Sequence, residues 1–329
     1  MPTNLPPHYY VVEEQYRKAQ SAEEKVALLE EMMSIVPKHK GTDHLRAGLK
    51  RRLAQLKSES QAQKSGVGRQ VSPYHIDREG AGQLVLAGPP NVGKSAIVRA
   101  FTNAEPEVAP HPFTTWAPTP GMMPIDDIQV QLIDTPPFNP EFVKADMIDL
   151  IRRADMLLLV IDLQAFPIEQ LEDALAFLEA HRIVPLYLRN AYPDQFELTF
   201  VPTLVVVNKT DDPTLDADFE VLSELLGEAV PLVPVSAETG YHLDVFKQTI
   251  FDRLDIVRIY AKPPGEEADL SAPFVMTKGG TVEDFARKVH RDFYEKLKSA
   301  RVWGHGVFEG QAVSRDHVLH DGDIVELRV

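Results

Sequence analysis

The stretch Gly88-Pro89-Pro90-Asn91-Val92-Gly93-Lys94-Ser95 constrains this chain more than any other. A short apolar run, Gln83 to Ala87, precedes it, and Ala96-Ile97-Val98-Arg99-Ala100-Phe101 follows with helical spacing. Strand, glycine-rich loop and helix in that order turn backbone N–H groups outward at a helix N-terminus, where anions bind. Gly88, Asn91, Val92, Gly93, Lys94, Ser95 and Ala96 are therefore expected to cradle phosphates. Lys94 would reach the β- and γ-phosphates as a catalytic cation, and Ser95 would offer its hydroxyl to Mg²⁺. A tight glycine turn that packs a helix on a sheet is the competing reading, and it gives Lys94 no task.

Further stations follow at the ends of predicted strands. Ile128 to Ile133 alternates and ends at Asp134, where a phosphate-loop protein places the carboxylate near Mg²⁺. The continuous apolar run Met156 to Ile161 reads as a buried parallel strand. Leu204 to Val207 leads into Asn208-Lys209-Thr210-Asp211, and Leu232 to Val235 into Ser236-Ala237-Glu238. Asp211 can accept from guanine N1 and N2, whereas adenine would leave the carboxylate unpaired, so GTP or GDP is selected over ATP. Lys209 would lie along the base, Asn208 would brace the loop, and the Ala237 N–H would meet guanine O6. Between these stations, Thr102 to Gly121 is proline-rich and reads as a loop. Thr115, with Thr114 as the near alternative, is expected to coordinate Mg²⁺ when a triphosphate is bound and to release it after hydrolysis.

The usual Asp-x-x-Gly pattern fails at its fourth position, and the residue after it is unusual as well. Pro137 stands where a glycine would donate its N–H to the γ-phosphate, and proline has none. Phe138 stands where a glutamine would orient water. Weak intrinsic hydrolysis is expected. Asn91 is a candidate to hold K⁺ beside the phosphates in place of an arginine finger; the competing reading gives it turn geometry alone.

With 329 residues and 44% apolar content, the chain can build more than one core. No apolar run approaches a membrane span, the first residues lack a signal-peptide pattern, and a cytoplasmic location with no membrane partner is expected. Absence of cysteine excludes thiolate catalysis and cysteine zinc sites. The formal net charge of −15 argues against indiscriminate nucleic-acid coating, yet residues 1–70 carry 12 Lys/Arg against 8 Asp/Glu. Any polyanion contact therefore belongs to that segment. Its apolar spacing, Val26, Leu29, Met33 and Val36, then Leu45, Leu49, Leu53 and Leu56, predicts a helical hairpin arm, and Gln61 to Gln70 a linker.

At the other end, Ile256 to Ala261 and Ile324 to Val329 alternate like strands, and Thr281 can cap a helix carrying Val282, Phe285, Val289 and Phe293. Trp303 and Phe308 are expected in the core of this module. His290, His305, His317 and His320 lack ligand spacing, so no metal is assigned to them.

The phosphate loop, the segment Pro112-Phe113-Thr114-Thr115, Asn-Lys-Thr-Asp at 208–211, the Lys38-His39-Lys40-Gly41-Thr42 turn and the C-terminal pieces Thr281 to Ala286, Val302-Trp303-Gly304 and Asp321 to Val325 together resemble the Obg-related GTPases, specifically the DRG-like (developmentally regulated GTP-binding) branch with a C-terminal TGS domain. The resemblance implies an α/β phosphate-loop GTPase domain (80–255) with a parallel-rich sheet, a helical arm (1–70) and a β-grasp TGS domain (256–329). It also implies slow GTP hydrolysis, possible K⁺ stimulation and a ribosome- or RNA-associated switch in translation, with a protein partner at the TGS domain as a further expectation. Two alternatives stay open: a guanine-nucleotide-binding regulator with negligible hydrolysis, and a TGS-based ligand- or stress-sensing adaptor.

Overall fold

The structure, a computed structural model, describes residues 12, 16, 28, 29, 32, 72–102, 118–139, 143–193 and 197–329. The expected helical arm, its Lys38 to Thr42 turn and the linker lie outside the described residues, apart from Val12, Tyr16, Leu28, Leu29 and Met32, all five helical. The chain divides into two compact units, Met1–Ser72 and Pro73–Val329.

Eight strands of the second unit precede its C-terminal module: β1 (Gln83–Ala87), β2 (Thr119–Ile125), β3 (Ile128–Asp134), β4 (Met156–Asp162), β5 (Ile183–Pro185), β6 (Thr199–Val201), β7 (Thr203–Asn208) and β8 (Leu232–Val235). Six of them form one sheet in the order β2-β3-β1-β4-β7-β8, and β5 and β6 pair separately. All neighbours in the larger sheet are parallel except the β2–β3 hairpin. Position follows composition. Every residue of the central strand β4, MLLLVID, is buried, as a strand covered on both faces requires. β2 carries Pro120 and Pro124, which cannot donate to a ladder, and it lies at the sheet edge.

Helices cover both faces. Ile148, Ile151, Leu171, Phe177, Leu178 and Leu222 close one core; Ile97, Phe101, Phe246 and Ile250 close the other. Each large buried aliphatic side chain contributes about 1.5–3 kcal/mol. Two buried glutamines interrupt the apolar interior. Gln83 and Gln131 stand opposite each other on β1 and β3, and the amide of Gln83 donates to that of Gln131 at 2.8 Å. Paired in this way, neither forfeits its hydrogen bonds.

The C-terminal module has five strands, β9 (Ile256–Ala261), β10 (Phe274–Thr277), β11 (Ser299–Trp303), β12 (Gln311–Val313) and β13 (Asp323–Arg328), in the order β10-β9-β13-β11-β12. Helix Val282–Val289 covers it with Val282, Phe285 and Ala286, and starts in a capping box between Thr281 and Asp284. Trp303 is half-buried, with the Lys262 ammonium 5.1 Å from its ring centroid. Phe308 corrects the expectation of a core residue: it is 85% exposed. It sits in the connection between β11 and β12, where side-chain hydrophobicity alone does not set burial.

One cluster ties the C-terminal module to the larger sheet. Arg258 of β9 donates to Asp126 (3.2 Å) and Asp127 (3.0 Å) in the β2–β3 turn and to Asp321 (2.8 Å), while Tyr260 donates to Asp127. The guanidinium also lies 4.7 Å from the Phe251 ring centroid.

Candidate nucleotide and metal site

The motif residues converge at the C-terminal ends of β1, β3, β7 and β8, the place where open parallel sheets leave a crevice. Helix Lys94–Phe101 starts from Gly93, whose backbone is left-handed (φ 92°), and has no side-chain cap. Its first-turn N–H groups are thus available to an anion. A Cβ on Gly93 would come 2.2 Å from Nδ2 of Asn208, and one on Gly88 2.4 Å from the Val160 carbonyl. Glycine is needed at both places for close approach. Asn91 is exposed and left-handed (φ 64°), a conformation asparagine tolerates better than most residues.

Lys94 is buried and curls into its own loop, donating to the carbonyls of Gly88 (3.0 Å) and Pro89 (2.6 Å). Burial pushes its ammonium down to about 8, against the opposing charge of Asp134. The Ser95 hydroxyl donates to Oδ2 of Asp134 at 2.5 Å. Oδ1 of Asp134 is buried without a partner among the described residues. Burial raises the Asp134 carboxyl above its ordinary range, and the Ser95 hydroxyl and the charges of Lys94 and Arg99 oppose that rise. A buried carboxylate oxygen left unbonded beside a hydroxyl is costly to the folded chain unless a cation takes it. These hard oxygen donors fit Mg²⁺. Thr114 and Thr115 lie outside the described residues.

The base-recognition loops are braced before any base arrives. Asn208 donates from Nδ2 to the Val92 carbonyl (2.8 Å) and accepts at Oδ1 from the Ala237 N–H (3.1 Å), so one buried amide joins the phosphate loop to the β8 loop. The Ala237 N–H, expected at guanine O6, is thus directed at the Asn208 side chain in this structure. Ser236, fully buried, donates to Oδ1 of Asp211 at 2.7 Å and accepts from the N–H groups of Glu238 (3.3 Å) and Thr239 (3.0 Å). Two residues that no motif marked complete the group. Asp162, buried at the end of β4, accepts from Lys209 at 2.5 Å and from the Gln164 N–H at 2.9 Å. Gln164 in turn donates from Nε2 to Oδ2 of Asp211 (3.2 Å) and to the Lys209 carbonyl (2.9 Å). A polar residue shortly after a buried strand was the only sequence signal for either.

After Asp134, the Phe138 N–H donates to the Gly88 carbonyl at 3.1 Å. The Phe138 ring stacks on Phe177, with centroids 4.1 Å apart and planes 17° apart. It is thus held against the core and offers no group to water.

Residues 83–190 match the family model described as 50S ribosome-binding GTPase, and residues 257–329 match the TGS domain. An uncharacterized GTP-binding protein of Methanocaldococcus jannaschii is 28% identical, over 93% of this chain and 92% of the relative. Developmentally-regulated GTP-binding protein 1 of Xenopus laevis is 25% identical over 92% of this chain and 98% of its own length. The chain is DRG-like, with a GTPase domain and a C-terminal TGS domain. A relative of this DRG-like chain in Saccharomyces cerevisiae, named ribosome-interacting GTPase 1, is 24% identical over 92% of this chain and 98% of the relative. Among solved structures, a GTP-binding protein from Pyrococcus horikoshii shares the fold, with a TM-score of 0.50 and 16% identity over 75% of this chain and 99% of that one. Among the described residues of the DRG-like chain, no helix is long and apolar enough to cross a membrane.

Proposed function

We propose that this DRG-like GTPase is a slow, guanine-specific switch that acts with the ribosome or its RNA in the cytoplasm. The observation that carries the guanine reading is the position of Asp211. Its Oδ1 is fixed by Ser236 and its Oδ2 is held by Gln164, beside a loop that Asn208 ties to the phosphate cradle. Lys94 would leave its loop carbonyls for the phosphate oxygens, and the helix N-terminus would accept the rest of the charge. Ser95 and Asp134, with Thr115, would hold Mg²⁺, which supplies electrostatic stabilisation of charge developing on the phosphates. Pro137 and Phe138 supply neither a γ-phosphate donor nor a water-orienting group, which supports slow hydrolysis. Asn91 is the residue through which K⁺ would act.

Titration with fluorescent GDP, then competition by GTP and ATP, tests the pocket: GTP displaces the probe and ATP does not. Equal displacement by the two would end the guanine reading. Turnover measured in K⁺ and in Na⁺, with and without ribosomes, tests the switch. Activity that rises in K⁺ supports Asn91; no turnover under any condition leaves a guanine-nucleotide-binding regulator. That second reading is favoured by the stacking of Phe138 into the core. Ribosome association is tested by sedimentation of the chain with ribosomes across a salt series. Because residues 1–70 carry the excess of Lys/Arg, binding is expected to weaken with salt and to fall when they are removed.

A further inference from the structure

Helices Pro167–Ala180 and Asp216–Leu226 leave between them a groove of about 410 Å³. Leu163 and Leu222, both buried, line it beside apolar side chains that stay in solvent. Those are Phe166 (77% exposed), Leu225 (68%), Val221 (55%) and Ile168 (36%). Ten large apolar side chains are exposed among the described residues, and four of them meet here, which scatter does not explain.

Phe166 adds an independent observation. It precedes Pro167 with a left-handed backbone (φ 52°), which a bulky side chain adopts at a cost of about 1–3 kcal/mol. The fold obtains no burial of the ring in return, because the ring projects into solvent. The strain holds an aromatic side chain at the mouth of the groove.

Charge then selects the occupant. The two helices, PIEQLEDALAFLEA and DADFEVLSELL, contain eight carboxylates and neither Lys nor Arg. Glu169 and Asp218 line the groove itself. An acidic rim around an apolar floor repels nucleic acid and anionic lipid and attracts a cationic apolar ligand. Two helices side by side also present the shape in which a third helix seats its apolar stripe. We propose that this groove docks an amphipathic helix of a partner protein, one whose apolar stripe is flanked by Lys or Arg. The proposal does not rest on the reading given to the nucleotide pocket, although Leu163 on the groove floor lies between Asp162 and Gln164 and its N–H donates to the Asn208 carbonyl at 3.1 Å.

The test uses the full chain and three labelled probes read by fluorescence anisotropy. The first is a stapled helical peptide with Leu at i, i+3, i+4 and i+7 and Lys on both flanks; the second replaces Lys with Glu; the third scrambles the first. The Lys peptide is expected to bind at least about tenfold more tightly than either control, and to lose about tenfold in a Val221→Ser, Leu225→Ser double variant. Both substituted positions are exposed, and an unchanged melting temperature confirms that the variant is folded. Phe166→Gly removes the ring and relieves the backbone, so it is expected to bind the Lys peptide more weakly while melting at a higher temperature. Equal binding of the Lys peptide and its scramble, or undiminished binding by the double variant, overturns the proposal. So does a dimer in sedimentation equilibrium that the double variant abolishes, because the occupant would then be a second copy of this chain.

Discussion

Gly93 carries the tightest steric condition in the site. An added Cβ would strike the Asn208 amide at 2.2 Å in a backbone region (φ 92°) unsuited to side chains. Gly93→Ala must therefore displace Asn208 from the Val92 carbonyl and strain the loop, at roughly 2 kcal/mol or more. Guanine-nucleotide affinity measured by fluorescent GDP titration is expected to fall more than about tenfold. Gln164 acts more gently. It orients Asp211 and the Lys209 carbonyl through one side-chain amide, so Gln164→Ala is expected to weaken GDP binding by about 1 kcal/mol while narrowing the preference for guanine over adenine nucleotides. Direct competition by GTP and ATP against the probe checks both effects. The two residues differ in how far the sequence revealed them. Gly93 is fixed by its neighbours along the chain, because backbone geometry and the lysine beside it form a local pattern. Gln164 reaches Asp211 across 47 positions, and a lone glutamine after a strand carries no mark of that contact.

At the scale of elements, the segment after β3 is held from two sides. Its backbone is bonded to Gly88 through the Phe138 N–H, and its ring stacks on Phe177 of helix Pro167–Ala180. A segment anchored in this way can still follow the γ-phosphate if it has a donor to offer, and Pro137 removes the one that would point there. Pro137→Gly restores an N–H, and a hydrogen bond to a charged group contributes about 1.5–3 kcal/mol. The ratio of GTP to GDP affinity is expected to rise about tenfold or more, as read by paired titrations with non-hydrolysable GTP and with GDP. No change would mean that the Phe138 anchor, rather than the missing donor, keeps the segment from responding. Strands were the most legible elements: the unbroken apolar run of β4 follows from its central place in the sheet, whereas the alternation of β3 located the strand without giving its burial, since Gln131 is buried against Gln83 and only Gln129 is exposed. Phe308 was misread for the opposite reason: apolar character does not locate a loop residue.

At the largest scale, the C-terminal module meets the larger sheet through a contact that no local pattern discloses, since Arg258 lies 131 residues from Asp127. The β2–β3 hairpin carries Asp134, the candidate Mg²⁺ ligand, at one end and the Asp126–Asp127 turn at the other. Seven residues of strand span about 23 Å, so one stiff ribbon runs from the nucleotide site to the C-terminal module. Burial by itself would raise the Asp127 carboxyl, but hydrogen bonds from Tyr260 and Arg258 outweigh it and hold the group below its ordinary range. The same guanidinium holds Asp321 low against its own burial. A carboxylate whose folded-state pKa is depressed stabilises the fold above its unfolded value near 4, and that stability disappears as pH falls through the folded value. Arg258→Met is therefore expected to lower the melting temperature most at neutral pH, by the equivalent of about 1–3 kcal/mol after allowing for the partly exposed carboxylates. The deficit should shrink as wild type and variant are compared at pH values falling from 5 towards 2. If the deficit stays constant with pH, packing of the guanidinium on Phe251 holds the two domains together, and the carboxylates of the hairpin turn contribute little.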